Sequence, residues 1–270
     1  MLERNRSNMI TAAIVRHERT FLAQPEWKSI PWSRNPGAKS ALQLLLDTMV
    51  ELPGMLEYRD KLLGLKKAAS PEAGPLTSRV RERLLQLMHE LHEWRTNWQI
   101  VNAKEAFETQ SSRIGNLENI FPTSIHFTHP DLSSQITLYN SALILFCVII
   151  QSLDLDLSNA ESNPFGHCGP SPLWNEVLTP SIFPINNLRE TMWTAAIEIC
   201  RCVDMHFASS GATLFFLIAP LRVAWPALGG YSTREGHWVR SIIGQIGTRE
   251  QGGWKLAEHM MNHDPFRMAI

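Results

Sequence analysis

Apolar residues recur at intervals of three and four through most of this chain, which is the spacing of one face of an α-helix. The segment 76–99 is the clearest example, because Leu84, Leu87, Leu91 and Trp94 fall on one face. Alternating apolar and polar runs with Asn-Gly or Asp-Gly turns, which indicate β-hairpins, are almost absent. The pattern therefore predicts an all-α fold.

Other segments carry the same helical pattern. Pro53 and Gly54 predict a break in the segment 40–63, because proline removes a helical hydrogen bond. The segment 188–211 ends at Gly211, a residue suited to a helix C-cap. Further helices are predicted at 133–154, which is apolar almost all round in its second half, and at 233–247 and 249–263.

The stretch GATLFFLIAPLRVAWPALGG, residues 211–230, resembles a membrane span at first sight. A transmembrane helix needs about 20 consecutive apolar residues, whereas 212–228 includes Pro220, Arg222 and Pro226. We therefore predict no membrane span. The stretch is interpreted as a buried core segment, built as two short helices or one kinked helix, with the wall of a ligand pocket as the alternative.

Two polar segments, 101–131 and 159–173, are predicted to be surface loops. Because segments of similar helical character lie on either side of each loop, the sequence predicts a single domain over residues 1–270. Its architecture is predicted to be an irregular helical array with long apolar core helices.

Composition and charge restrict the function. Hydrophobic residues make up 44% of the chain and charged residues 19%, which is typical of a well-packed globular protein. The formal net charge is −1, whereas nucleic-acid-binding modules usually carry a strong basic excess. No direct nucleic-acid binding is expected from this chain alone. The widely spread cysteines and the charged first residues predict an intracellular protein.

Motifs that resemble metal or catalytic sites fail on geometry. His89 and His92 in HELHEW are three residues apart, whereas a zinc-protease helix needs four, so a solvated polar face is predicted. Cys200 and Cys202 would point to different faces of a helix. No better site comes from the loop pair His167 and Cys168, the calcium-loop-like segment 154–165, or the pair His259 and His263. We predict no catalytic residue, no metal and no cofactor.

Arg222 is the residue that breaks the local apolar pattern. A buried charge is normally paired, so the favoured interpretation is an ion pair with Glu198 or Asp204. The alternative is that Arg222 recognises a polar group of a small-molecule ligand in an apolar pocket. The candidate ligand-binding residues are Arg222, Trp193, Trp225 and Trp238.

Six segments carry aromatic and leucine patterns. They are HERTFLAQPEWKSIPW (17–32), LLLDTMVELPGMLEYRD (44–60), LHEWRTNWQ (91–99), LYNSALILFCVIIQSLD (138–154), ICRCVDMHFASSGATLFFLIAPLRVAW (199–225) and EGHWVRSIIGQIGTREQGGWKLAEHM (235–260). Taken together, they resemble the long helical region of fungal Zn2Cys6 (binuclear zinc cluster) transcription factors, downstream of their DNA-binding domain. The resemblance implies an all-helical regulatory domain, nuclear in the full-length proteins and often encoded beside secondary-metabolite genes.

The chain departs from the family at the zinc cluster. Members carry six closely spaced cysteines near the N-terminus, whereas the first cysteine here is Cys147, so the zinc ligands transfer to no residue. We expect a transcription-regulator-like protein that acts through a partner regulator or a small-molecule metabolite. The alternative is a metabolite-binding enzyme of the cyclase type. The sequence does not set the oligomeric state.

Overall fold

The computed structural model of the protein describes residues 2–114, 117–155, 187–208 and 211–248. Helices dominate these ranges, with 76% of residues helical and 6% in strands, so the all-α prediction is confirmed. The α-helices in these ranges are α1 (Leu2–Arg16), α2 (Pro25–Ser29), α3 (Ala41–Met49), α4 (Leu52–Lys67), α5 (Ala73–Asn102), α6 (Pro130–Ser152), α7 (Leu188–Arg201), α8 (Val203–Ala208), α9 (Gly211–Ala227) and α10 (Arg234–Thr248).

A two-stranded antiparallel sheet lies between α5 and α6, in the segment predicted to be a loop. Strand β1 (Ala106–Gln110) pairs with β2 (Thr123–Phe127), with Ala106 opposite Phe127. In β2 the alternate side chains Ile125 and Phe127 are buried. This strand therefore has one face covered, and the prediction of a loop over 101–131 is wrong for these residues.

The chain divides into two compact units, and the first holds the described residues 2–98 and 145–155. Helix α1 packs against α3 and α4, and its buried Arg6 forms an ion pair of 2.5 Å with Asp47. The indole nitrogen of Trp94 donates a hydrogen bond of 2.7 Å to the carbonyl oxygen of Ala41. The core is apolar, with Leu45, Leu46, Leu84 and Leu87 fully buried.

The second unit holds the described residues 99–114, 117–144, 187–208 and 211–248. Helix α9 packs against α7, α8 and α10, and β2 packs against α7 and α8. Leu217, Leu221 and Ala224 of α9 are fully buried. Their burial agrees with the interpretation of 211–230 as core. The division into two units leaves the single domain over 1–270 as a prediction.

Helix boundaries correct some of the predictions. The break in 40–63 lies between α3 and α4, and Pro53 stands in the first turn of α4, where proline is tolerated. The segment 188–211 is two helices that part at Cys202, and Gly211 begins α9 rather than capping a helix. Helix α9 continues through Pro220 as one helix, so of the two predicted alternatives the pair of short helices is wrong. The segments 159–173 and 249–263, with Cys168, His167, His259 and His263, lie outside the described residues.

Helix α6 is long and apolar enough, at 23 residues, to cross a membrane. In the structure 83% of its most apolar window is buried, as the core helix of a protein would be.

Candidate functional site

Arg222 lies on α9 with only 5% of its surface exposed, in the second unit. The two carboxylates proposed as its partners have other contacts. Glu198 accepts a hydrogen bond of 2.9 Å from the side-chain amide of Asn140. Asp204 accepts bonds from the backbone nitrogen of Ser112 at 3.0 Å and the hydroxyl of Ser124 at 2.7 Å. The ion pair of Arg222 with either carboxylate stays a prediction.

Trp225 and Trp238 lie on the adjacent helices α9 and α10. Trp225 is half-buried, and its ring meets Tyr231 edge-on with 4.8 Å between the centroids. Trp238 is buried, and its ring lies 5.1 Å from that of Phe121, also edge-on. The indole N–H groups of both tryptophans are buried and meet no acceptor within the described ranges. These donors are the polar atoms that a ligand oxygen at this site would satisfy.

Trp193 lies apart from these rings. It is on α7, with 38% of its surface exposed, and no ring contact joins it to Trp225 or Trp238 in the described part of the chain. Arg222 and Trp225, by contrast, are three residues apart on α9 and so are neighbours on the helix surface. The structure thus places three of the four candidate residues on α9 and α10, and their role in binding stays a prediction.

A buried polar cluster fixes the small sheet to α7. The guanidinium of Arg201 donates through Nε to the carbonyl oxygen of Thr123 at 3.0 Å and through Nη2 to its hydroxyl at 2.6 Å. The same Nη2 lies 2.8 Å from Glu108 Oε2 on the neighbouring strand. Sequence reasoning missed this cluster because its members are far apart along the chain and no local spacing connects them. Its side chains satisfy one another, which indicates a structural role.

Ser133 and His206 form a pair that resembles a nucleophile and its general base. Ser133 Oγ lies 2.9 Å from His206 Nε2, which is hydrogen-bond distance. Burial lowers the pKa of His206 to about 4, so the imidazole is neutral at physiological pH. Both residues are fully buried, however, and a catalytic hydroxyl must reach its substrate. The pair is therefore a core hydrogen bond.

The described thiols lie in the core, whereas the histidines of HELHEW differ in exposure. Cys147, Cys200 and Cys202 are buried and form no disulfide within the described ranges, and burial raises the pKa of the Cys147 thiol to about 12. In the segment HELHEW, His89 is exposed as predicted, whereas His92 is buried, so the prediction of a solvated face is wrong for that residue. Among the described residues no group of three metal-ligating side chains comes together.

No protein-family model, curated protein or solved structure matches this chain. The resemblance to fungal zinc-cluster regulators accordingly stays a prediction, based on the segments that carry it.

Proposed function

We propose that the chain is a helical regulatory module that controls transcription through a partner regulator or a small-molecule ligand. On this proposal it acts in the nucleus of a fungus and controls genes of secondary metabolism. On this proposal DNA is read by the partner, because the net charge of −1 lacks the basic excess that is usual in nucleic-acid-binding modules.

The observation that supports this proposal is how the resembling segments fold. Residues 44–60 form the end of α3 and most of α4, residues 91–99 lie in α5, and residues 138–152 lie in α6. Their apolar side chains supply much of the buried core. A helical domain assembled from these segments is what the resemblance implies, and a helical core of this kind can present ligand pockets and partner surfaces.

Trp193 is the residue through which we expect a partner to bind. Tryptophan is enriched at the centres of protein interfaces, and this one is 38% exposed on α7. Replacing it by alanine removes the exposed ring, and we expect the folded structure to remain. Trp27 is a matched control because it is 37% exposed in the other unit.

The test is a deletion strain complemented with wild-type, Trp193→Ala or Trp27→Ala protein, followed by transcript and metabolite profiling. The proposal expects a set of biosynthetic transcripts to fall together in the deletion strain. Wild-type and Trp27→Ala protein should restore them, and Trp193→Ala should not. Unchanged transcripts with one accumulating intermediate would instead show the cyclase-type enzyme. Full rescue by Trp193→Ala would exclude this surface as the partner site.

A further inference from the structure

A cavity of about 330 Å³ lies in the first unit, walled by the segment after α1, the start of α4 and the first half of α5. Val50, Met55 and Val80 line it and are themselves buried, so part of its wall is apolar. Its volume is at the lower end of the range for small-molecule sites, which is about 300–1,000 Å³. The cavity therefore has room for a small organic molecule.

Three arginines, Arg19, Arg79 and Arg83, line the same cavity, with Glu51 as the one carboxylate in its lining. The lining therefore has a net formal charge of +2, in a chain whose total is −1. Such a local excess of guanidinium groups beside an apolar wall is suited to an anion with an apolar body.

The neighbouring carboxylates neutralise only part of this charge. Glu51 forms ion pairs with Lys28 at 2.5 Å and with Arg83 at 3.2 Å. Arg83 also lies 3.8 Å from Glu90, and Arg19 lies 3.1 Å from Glu57. With Lys28, Glu57 and Glu90 included, the group still carries a charge of +1.

Of the three arginines that line the cavity, Arg79 has no ion pair within the described ranges. Arg19, by comparison, is held in place: its guanidinium carbon lies 4.3 Å from the centroid of the Tyr58 ring, in cation–π geometry. One arginine is thus preorganised at the cavity and a second has all its donors available to a bound group. A carboxylate accepts such donors in charge-assisted hydrogen bonds.

We infer that this cavity binds a small organic monocarboxylate with an apolar body. The carboxylate is recognised by Arg79 with Arg19 and Arg83 beside it, and the apolar body lies against Val50, Met55 and Val80. The inference adds a ligand class to the regulatory role proposed above, but it rests on the cavity alone. Binding measured on the purified protein therefore tests it separately from any change in transcripts.

The experiment is isothermal titration calorimetry of the full chain with sodium octanoate, and with 1-octanol as the neutral probe of similar length. We expect saturable binding of octanoate, and binding of octanol at least about tenfold weaker, because octanol lacks the negative charge that strengthens a hydrogen bond from a guanidinium group. Arg79→Gln should weaken octanoate binding by about tenfold, because it removes the guanidinium group from the same hydrogen bond.

Two further variants test whether octanoate binds in this cavity. One removes a positive charge elsewhere, and the other fills the cavity. Lys61→Gln removes one exposed positive charge from α4 outside the cavity, and it should leave the affinity within about twofold. Gly54→Leu should abolish binding. A Cβ added at Gly54 would lie 3.4 Å from Arg19 Cγ, and the rest of a leucine side chain would occupy the cavity. Arg79 is exposed, so its variant tests the inference even if Gly54→Leu does not fold. Absence of saturable octanoate binding, equal binding of octanol, or unchanged affinity in Arg79→Gln would each overturn the inference.

Discussion

At the scale of single residues, His206 shows how burial sets chemistry in this protein. Its imidazole is 1% exposed and contacts the buried hydroxyl of Ser133. Burial lowers its pKa from 6.5 to about 4, because the charged form is poorly solvated in the core. The folded state therefore binds this proton less readily than the unfolded state does.

The direction of that shift predicts a loss of stability in acid. Between pH 6.5 and about 4 the unfolded chain gains a proton at His206 that the folded protein does not, so unfolding becomes more favourable as the pH falls. We expect His206→Gln, which keeps a polar partner for Ser133, to reduce the difference in unfolding free energy between about pH 7 and pH 4.5. The reduction should be about 2–3 kcal/mol. Urea denaturation at both pH values measures it.

His129→Gln is the control, because His129 is exposed and its side chain has no hydrogen bond, ion pair or ring contact within the described ranges. It should leave the pH dependence of the wild-type protein unchanged. Burial also lowers the pKa of His92. His92 remains in both variants, so it makes the same contribution to the pH dependence of the unfolding free energy in each. If the unfolding free energy of His206→Gln fell with pH as steeply as that of the wild-type protein, His206 would not be the source of the acid sensitivity.

At the scale of elements, two of the three glycines of α10, Gly236 and Gly244, lie in opposite environments. A Cβ added to Gly244 would meet nothing within 4 Å, whereas one at Gly236 would lie 1.8 Å from the carbonyl oxygen of Gly230. Gly236 also donates its backbone N–H to the hydroxyl of Thr233, 3.1 Å away, in the N-cap of α10. The close backbone approach therefore requires glycine at 236 only.

Alanine substitutions at these positions should have opposite effects. Gly244→Ala should raise the free energy of unfolding by about 0.5–1 kcal/mol, since glycine costs that much in a helix interior. Gly236→Ala should lower it by about 1–3 kcal/mol, because the backbone of Gly230 must move. Chemical denaturation of the two variants checks both signs. Stabilisation by Gly236→Ala would show that the start of α10 is placed differently.

The small sheet depends on the contacts of Arg201. Arg201→Met should cost about 1–3 kcal/mol, because it leaves the part-buried polar atoms of Thr123 without their donor. Glu108→Gln should cost less than about 1 kcal/mol, since Glu108 is about one-third exposed. Amide hydrogen exchange in β1 and β2 should accelerate in Arg201→Met and change little in Glu108→Gln. Equal rates of amide hydrogen exchange in the two variants would show that Arg201 does not stabilise the sheet.

The elements that could be predicted from the sequence are those with a periodic buried face. In α5 the buried Leu84, Leu87 and Leu91 follow the helical spacing, so local pattern and packing agree. The sheet could not be predicted in this way, because β1 buries only Ala106 and no two-residue turn joins the strands. Its contacts with Arg201 join residues that are far apart in the sequence.

The candidate site could be predicted only in part, for a related reason. Sequence reasoning selected Arg222 as a charge in an apolar run, and the structure does bury it. It did not select Arg79 or Arg83, because arginines on the polar side of an amphipathic helix are ordinary in sequence. Only the folded chain brings them to one cavity with Arg19. Periodicity shows that a face is buried or exposed, but not which element lies opposite.

At the scale of the whole molecule, periodicity likewise does not show which helices pack together, and the chain divides into two compact units. Helical character is similar throughout the sequence, which predicted one domain. The folded chain groups Leu46 and Leu84 into one compact unit, and Ile199 and Leu221 into the other. The unit boundaries pass within α5 and α6, after Trp98 and Ile144, where no change in composition indicates a linker. The grouping of helices into compact units depends on long-range packing that composition does not report.

Charge balance over the whole chain predicts how it behaves with DNA. The chain has 25 Lys and Arg against 26 Asp and Glu, and proteins that bind duplex DNA tightly make about 6–10 phosphate contacts. The three arginines of the cavity are too few for that and are partly paired. We therefore expect no saturable binding of a fluorescein-labelled duplex of mixed sequence at about 150 mM salt, measured by fluorescence anisotropy. A lysine-rich peptide serves as the positive control. Saturable binding that weakens steeply with added salt would show a phosphate-contacting surface, and the proposed dependence on a DNA-binding partner would then fail.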